Sequence, residues 1–189
     1  MHENELIQAL REGSESAFGE LVRAYGSRIY NTALSLVQNA EDAEEIAQDV
    51  FVKVYRHIAN FRNESGLSTW LYRITVTQSL DLLRKKKRQR TAAQLFGLFG
   101  KAKDEEIPHF DHPGVLAEQK ENASILFRAI RSLPAQQQAA FVLQKTEGLS
   151  QQEIAHILDT TASAVESLLH RAKANLRKYL ENFYKNQDA

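Results

Sequence analysis

The sequence predicts an all-α protein: two small helical domains, residues 1–90 and 118–184, joined by a flexible linker over 91–117. Three observations support this. Apolar residues recur at helical spacing, as at Ala43, Ile46, Ala47, Val50, Phe51, Val54 and Ile58, the i, i+3, i+4, i+7 stripe of an amphipathic helix. No segment alternates with period two, and eight Gly and three Pro in 189 residues are too few for a turn-dense β fold. The stretch 91–117 has no sustained period; it holds three Gly, two Pro and an acidic cluster at Asp104, Glu105 and Glu106. A short helix is expected at its start, around Gln94 to Phe99.

The helices follow in order. Leu21, Tyr25, Ile29, Ala33 and Leu36 form the first long stripe, and Asp42 to Ile58 the second. Asn60 to Ser68 (NFRNESGLS) is a loop by its Asn, Ser and Gly content. Ser68 or Thr69 can cap the next helix, whose apolar positions are Trp70, Leu71, Ile74, Leu80 and Leu83. In the last third, Ser150-Gln-Gln-Glu153 is a capping box. Ile154, Ala155, Ile157 and Leu158 supply a buried face, and Asp159, Thr160 and Thr161 a short turn. Asp tolerates the left-handed backbone of such a turn. Thr161 caps a second helix with Val165, Leu168, Leu169 and Ala172 facing inward.

Composition narrows the function. Apolar residues are 43% and charged residues 25%, as in ordinary globular domains. The absence of cysteine excludes a disulfide scaffold, a thiol nucleophile and a thiolate metal site. No apolar run approaches the roughly 20 residues that span a bilayer, and the first ten residues lack a basic n-region. The expectation is a cytoplasmic protein without membrane insertion. The six His (His2, His57, His109, His112, His156 and His170) show no metal-ligand spacing. No cofactor and no catalytic residue are expected, so the chain does not read as an enzyme.

Three constellations point to nucleic acid and a fourth to the helix dipole or a protein partner. The capped pair of helices after Ser150, with small Ala155 and buried Val165, has the spacing of a helix-turn-helix. Ser163, Ala164, Glu166, Ser167 and His170 face outward at the start of the second helix, followed by Arg171 and Lys173. Hydroxyls and an imidazole read base edges, and cations hold phosphates. The plainer alternative is a helical hairpin in a bundle. Next, Arg84, Lys85, Lys86, Lys87, Arg88 and Arg90 make six of seven residues basic. A helix dipole is satisfied by one or two cations and a charge run can be only a solvated face, but six cations favour phosphate contact. Beside it, Phe61, Arg62, Asn63, Glu64, Ser65, Ser68, Thr69, Trp70, Tyr72 and Arg73 combine aromatic, amide, hydroxyl and basic groups. These suit unstacked bases, although the only Trp of a small helical bundle is more often core. Finally, Asp42, Glu44, Glu45, Gln48 and Asp49 form an acidic helix face. It serves either the helix dipole or a basic protein partner.

In this order the pieces resemble an extracytoplasmic-function (ECF) sigma factor of the bacterial sigma-70 family. FGELVRAYGSRIYNTALSLV, DAEEIAQDVFVKVYRHI and FRNESGLSTWLYRITVTQSLDLLRKKKR are similar to its sigma-2 domain, and the segment from LPAQQQAAFVLQ to LRKYL to its sigma-4 domain. The resemblance implies a transcription initiation factor that binds core RNA polymerase through its β and β′ subunits. It implies recognition of −10 and −35 promoter elements, help in melting DNA, and control by an anti-sigma factor. Asp42, Glu45, Gln48 and Asp49 would meet the clamp helices of β′. Phe141, Leu176 and Tyr179 would line an apolar groove for the β flap. The −10 set would be Arg62, Asn63, Glu64, Ser65, Ser68, Trp70, Arg73, Thr77 and Arg84 to Arg88. The −35 set would be Ser150, Thr161, Ser163, Ala164, Glu166, Ser167, His170, Arg171 and Lys173. Three departures accompany the match: Thr77 stands where Asn is frequent, Glu166 and Leu168 where basic residues are, and Asp159 where the turn is usually Gly.

Overall fold

The computed structural model describes residues 2–62, 65–95 and 120–186. Its helices are α1 Glu3–Arg11, α2 Glu15–Val37, α3 Ala40–His57, α4 Leu67–Leu95, α5 Lys120–Arg131, α6 Ala135–Lys145, α7 Gln151–Ile157 and α8 Ala162–Lys185, with a 3₁₀ turn at Ile58–Asn60. The described residues include no strand. The linker acids Asp104 to Glu106 and residues 96–119 generally lie outside the described residues.

Helices α1 to α4 form the first unit. Side chains at their N-termini satisfy backbone donors that a helix leaves open: Ser14 accepts from the Ala17 N–H at 3.3 Å and Asn39 from the Asp42 N–H at 2.8 Å. The apolar stripes meet in one cluster that includes Leu6, Ile7, Leu10, Leu21, Ile29, Ala43, Val50, Val54, Leu67 and Leu71. Helix α4 runs through Thr91, Ala92 and Ala93 to Leu95, into the stretch read from sequence as linker. Thr91 is the sole β-branched residue there, and neither Gly nor Pro interrupts the helix before Leu95.

Helices α5 to α8 form the second unit, around Ile130, Leu133, Val142, Leu143, Ile154, Val165, Leu169 and Leu176. Its cluster also takes in Leu36 of α2 and Tyr72, Val76 and Leu80 of α4. The two units therefore share apolar packing. Helix α4 is buried on two sides: Leu67 and Leu71 face the first cluster, Tyr72, Val76 and Leu80 the second.

Polar contacts reinforce this seam. The Gln138 side chain, only 2% exposed, donates to the Leu36 carbonyl at 2.9 Å. Gln38, which ends α2 in the left-handed region at φ 55°, donates to the Phe127 carbonyl at 2.8 Å. Glu147 follows α6, and the turn that presents it depends on Gly148 at φ +68°, a backbone that glycine adopts without steric cost. Its carboxylate accepts from the Tyr72 hydroxyl at 2.7 Å. The Thr32 hydroxyl lies 2.8 Å from both Glu147 Oε1 and the Arg28 carbonyl, so its one proton is shared between them. Burial, then the hydrogen bond to Glu147, pushes the Tyr72 phenol above its ordinary range, which keeps it a donor.

Candidate nucleic-acid interface

Helices α7 and α8 form the helix-turn-helix. Ser150 Oγ accepts from the Glu153 N–H at 3.3 Å, and Glu153 accepts from the Ser150 N–H at 2.8 Å and its hydroxyl at 2.7 Å. The turn is closed by Asp159 at φ 52° and by the Thr160 N–H donating to the Ala155 carbonyl at 3.0 Å, a Schellman arrangement. Thr161 then accepts from the Ala164 N–H at 3.2 Å and starts α8. Val165, Leu169 and Ala172 are buried, and Leu168 is partly buried against the same cluster. Ser163, Glu166, Ser167, His170, Arg171 and Lys173 are exposed, and Ala164 is half-buried. Arg171 Nε donates to the Ser167 carbonyl at 3.2 Å, which aligns its guanidinium along the outer face.

The capping box carries a testable expectation. Ser150→Ala removes a cap of about 1 kcal/mol. The Ser150 side-chain hydrogen bond, then the backbone one, holds the Glu153 carboxyl below its ordinary value. A depressed acid stabilises the fold above its unfolded pKa, and that contribution is lost as pH falls through the folded value. Thermal melting followed across acidic pH should therefore show a wild-type advantage over Ser150→Ala at neutral pH that shrinks on acidification. An advantage independent of pH would count against the carboxylate's part in the cap.

Along α4 the −10 candidates occupy different settings. Arg73 is exposed, and its guanidinium donates to the His156 carbonyl at the end of α7. Thr77 is exposed. Arg84 pairs with Asp81 at 2.9 Å, both well exposed, a contact worth little in water. Lys85, Lys87 and Arg88 are exposed, whereas Lys86 forms an ion pair with Asp42 of α3. The basic run and the acidic face, read as separate surfaces, thus meet through one pair.

The loop before α4 is held by α1. The Arg11 guanidinium donates to the Phe61 carbonyl, and Glu3 Oε1 accepts from the Leu67 N–H at 3.2 Å. The cap of α4 is therefore a carboxylate from another helix rather than Ser68 or Thr69, because the helix starts at Leu67, ahead of both. Burial first, then the Glu3 carboxylate, pushes the neighbouring Tyr25 phenol upward. Trp70 stacks on Phe61, centroids 4.7 Å apart at 21°, and is half-buried against the first core. Tyr72 is 5% exposed and belongs to the seam rather than to a stacking surface. Arg62 is exposed and Ser65 and Ser68 are half-buried; Asn63 and Glu64 lie outside the described residues.

On α3, Glu44, Glu45, Gln48 and Asp49 are exposed, and Asp42 is the half-buried partner of Lys86. Beside them lies an apolar patch that the sequence reading missed. Tyr55 is 65% exposed, Val52 43% and Val22 38%. Phe18 packs edge-on against Tyr55 and Phe51, with centroids 5.7 and 6.3 Å away. The signal was present as aromatics four apart at Phe51 and Tyr55.

A second apolar surface is an open groove of about 620 Å³ between α5 and the end of α8, lined by Leu126, Leu176, Leu180 and Tyr184 with Lys173, Arg177 and Lys185 at its edges. Leu176 was expected there. Phe141 and Tyr179 pack partly buried against the core instead and do not line the groove. Tyr179 stands one residue before Leu180, the middle of the Leu176, Leu180 and Tyr184 stripe, and so about 100° round α8 from it.

A helical protein with one capped helix-turn-helix, a basic helix and two exposed apolar surfaces is a DNA-binding protein with protein partners. Residues 21–89 match the family model of sigma-70 region 2 and residues 124–176 that of sigma-70 region 4. The chain belongs to the sigma-70 family, in its ECF group, and is a transcription initiation factor that directs core RNA polymerase to promoters. Among its relatives, the ECF sigma factor SigW of Bacillus subtilis is 32% identical over 93% of this chain and 95% of its own length. The sigma-H factor of Pseudomonas aeruginosa is 29% identical over 95% and 94%. Among solved structures, CnrH in complex with the cytosolic domain of CnrY has a TM-score of 0.70 at 24% identity, covering 95% of this chain and 97% of that one. RpoE in complex with the anti-sigma factor NepR from Bartonella quintana has 0.65 at 22%, covering 87% and 96%. At these identities the structural likeness concerns the fold.

Proposed function

We propose that domains of about residues 1–90 and 118–184 divide the work of this sigma factor, one at the −10 element and one at −35, and that it acts in the cytoplasm by binding and positioning, without a reaction of its own. The observation that carries this is the outward face of α8, where Ser163, Glu166, Ser167, His170 and Arg171 stand free of the core while Val165 and Leu169 anchor the helix. That face enters the major groove, with Lys173 on phosphate and Ser150 and Thr161 setting the approach. Arg62, Asn63, Glu64, Ser65 and Ser68 receive the −10 strand. Arg73, Thr77 and the cations Arg84, Lys85, Lys87 and Arg88 guide the strand along α4, and Trp70 supports the loop from below. Glu45, Gln48 and Asp49, with Phe51 and Tyr55 beside them, dock the β′ clamp. The groove at Leu176 and Tyr184 takes the β flap.

The packed arrangement of the two units adds a step. The −10 and −35 elements lie about 25 base pairs apart by their names, roughly 85 Å of duplex at about 3.4 Å per base pair. Arg73 of the −10 set instead touches the α7 backbone of the −35 reader. Both elements cannot be read in this state, so the units separate when the polymerase binds. The exposed acidic face and the α8 groove remain open to the polymerase beforehand. An anti-sigma factor acts on the same equilibrium by covering those two surfaces; RpoE, similar in fold, was solved in complex with the anti-sigma factor NepR, and CnrH in complex with the cytosolic domain of CnrY. The test is run-off transcription by core RNA polymerase with and without the chain, on a duplex pool randomised at both elements. Enrichment of one paired −10/−35 motif is expected. Transcription that the chain leaves unchanged would overturn the proposal.

A further inference from the structure

We infer that Glu166 is a specificity-determining residue of the −35 reader: its carboxylate accepts from the N4 amino group of one cytosine and so selects a C·G pair at one position. This deepens the reading of α8 as the −35 helix and rests on it. Helix α8 begins at Ala162, so Glu166 lies in the N-terminal part that a recognition helix brings to base edges. Its side chain is exposed and unpaired among the described residues. With Ser167, His170 and Arg171 it lines an open depression of about 520 Å³. Arg171 does not neutralise it: that guanidinium is drawn to the Ser167 carbonyl, about 140° round the helix from Glu166 at about 100° per residue. Lys173 is on the same side as Glu166 but about 10 Å further along the axis.

Phosphates repel a carboxylate, so any favourable contact Glu166 makes with the duplex is with a base. The neighbouring hydroxyl points the same way. Ser167 Oγ donates to the Ser163 carbonyl at 3.1 Å. Its one proton is spent within the helix, and its remaining lone pairs only accept. This part of the face therefore asks for a donor, and the major groove offers two, cytosine N4 and adenine N6. A carboxylate tells them apart. Adenine carries the acceptor N7 beside N6, where it would confront the second carboxylate oxygen; cytosine has no acceptor there. A glutamine in the same place offers one acceptor and one donor, which suits adenine N6 and N7 together.

The experiment uses the full chain with core RNA polymerase and the duplex pool randomised at both elements, and sequences the templates that yield transcript. The wild type should prefer C·G over A·T at one −35 position by about tenfold, the size of a single base mismatch. Glu166→Gln should move the preference at that position to A·T in the same orientation, and Glu166→Ala should level it, with the −10 motif retained in both. The side chain is exposed, so both variants should melt with the wild type. A wild-type −35 motif that persists unchanged in both variants would overturn the inference while leaving α8 as the −35 reader. So would a uniform gain of transcription from all sequences, the mark of a carboxylate that only repels phosphates. A wild-type pool with a −10 motif and no −35 motif would remove the reading of α8 itself, and the role of Glu166 with it.

Discussion

Glu45→Arg combined with Asp49→Arg is expected to abolish stoichiometric co-elution with core RNA polymerase. Both side chains are exposed on α3 and neither belongs to a buried contact, so the thermal midpoint should stay near the wild-type value. Like charges placed across an interface cost several kcal/mol, and two reversals should weaken binding by more than about 100-fold. Asp42 is the wrong position for this test despite its place in the acidic face. Its ion pair with Lys86 ties α3 to α4, and reversal there would disturb the first unit as well as the interface. Undiminished co-elution of the Glu45/Asp49 variant would remove α3 from the docking surface.

The second large effect is expected at the seam between the units. Tyr72→Phe with Thr32→Val removes both hydroxyls that reach Glu147 while nearly preserving shape. The half-buried carboxylate then favours a state in which water reaches it. Hydrogen bonds to a charged group are worth about 1.5–3 kcal/mol each, although Arg28, near enough to act on the Tyr72 phenol, limits the loss. The packed-to-separated ratio should fall by about 10- to 100-fold. The chain has no cysteine, so Lys53→Cys and Lys178→Cys provide unambiguous dye positions. Energy transfer between them should drop in the double variant. Transfer equal to that of the parent would show that Glu147 does not hold the seam.

What could be read from the sequence follows from how far each interaction reaches along the chain. The helix-turn-helix was legible because Ser150, Glu153, Asp159 and Thr161 act on backbone groups a few residues away. The stripes of α2 and α3 were legible for the same reason. The roles of Glu3, Arg11, Lys86 and Glu147 were hidden, because each meets a partner between 44 and 115 residues distant. Charge shows that such a side chain can pair; only packing selects the partner. Tyr72 illustrates a second limit. Helix α4 is apolar on two faces, and a helix buried on both sides gives a weak stripe. Tyr72 therefore read as part of a polar, base-facing surface when it belongs to the second core. The groove was expected near Leu176, but the phase of α8 turns Tyr179 away and brings Tyr184 in.

The apolar seam would also make the proposed separation of the units temperature-dependent. Parting Leu36, Tyr72, Val76 and Leu80 from the second core wets apolar surface, and wetting apolar surface raises the heat capacity. The free energy of separation is thus a curved function of temperature, with the packed form favoured most at an intermediate point and less on either side. If polymerase binding parts the units as proposed, the same four side chains would make that step respond to cold as well as to heat.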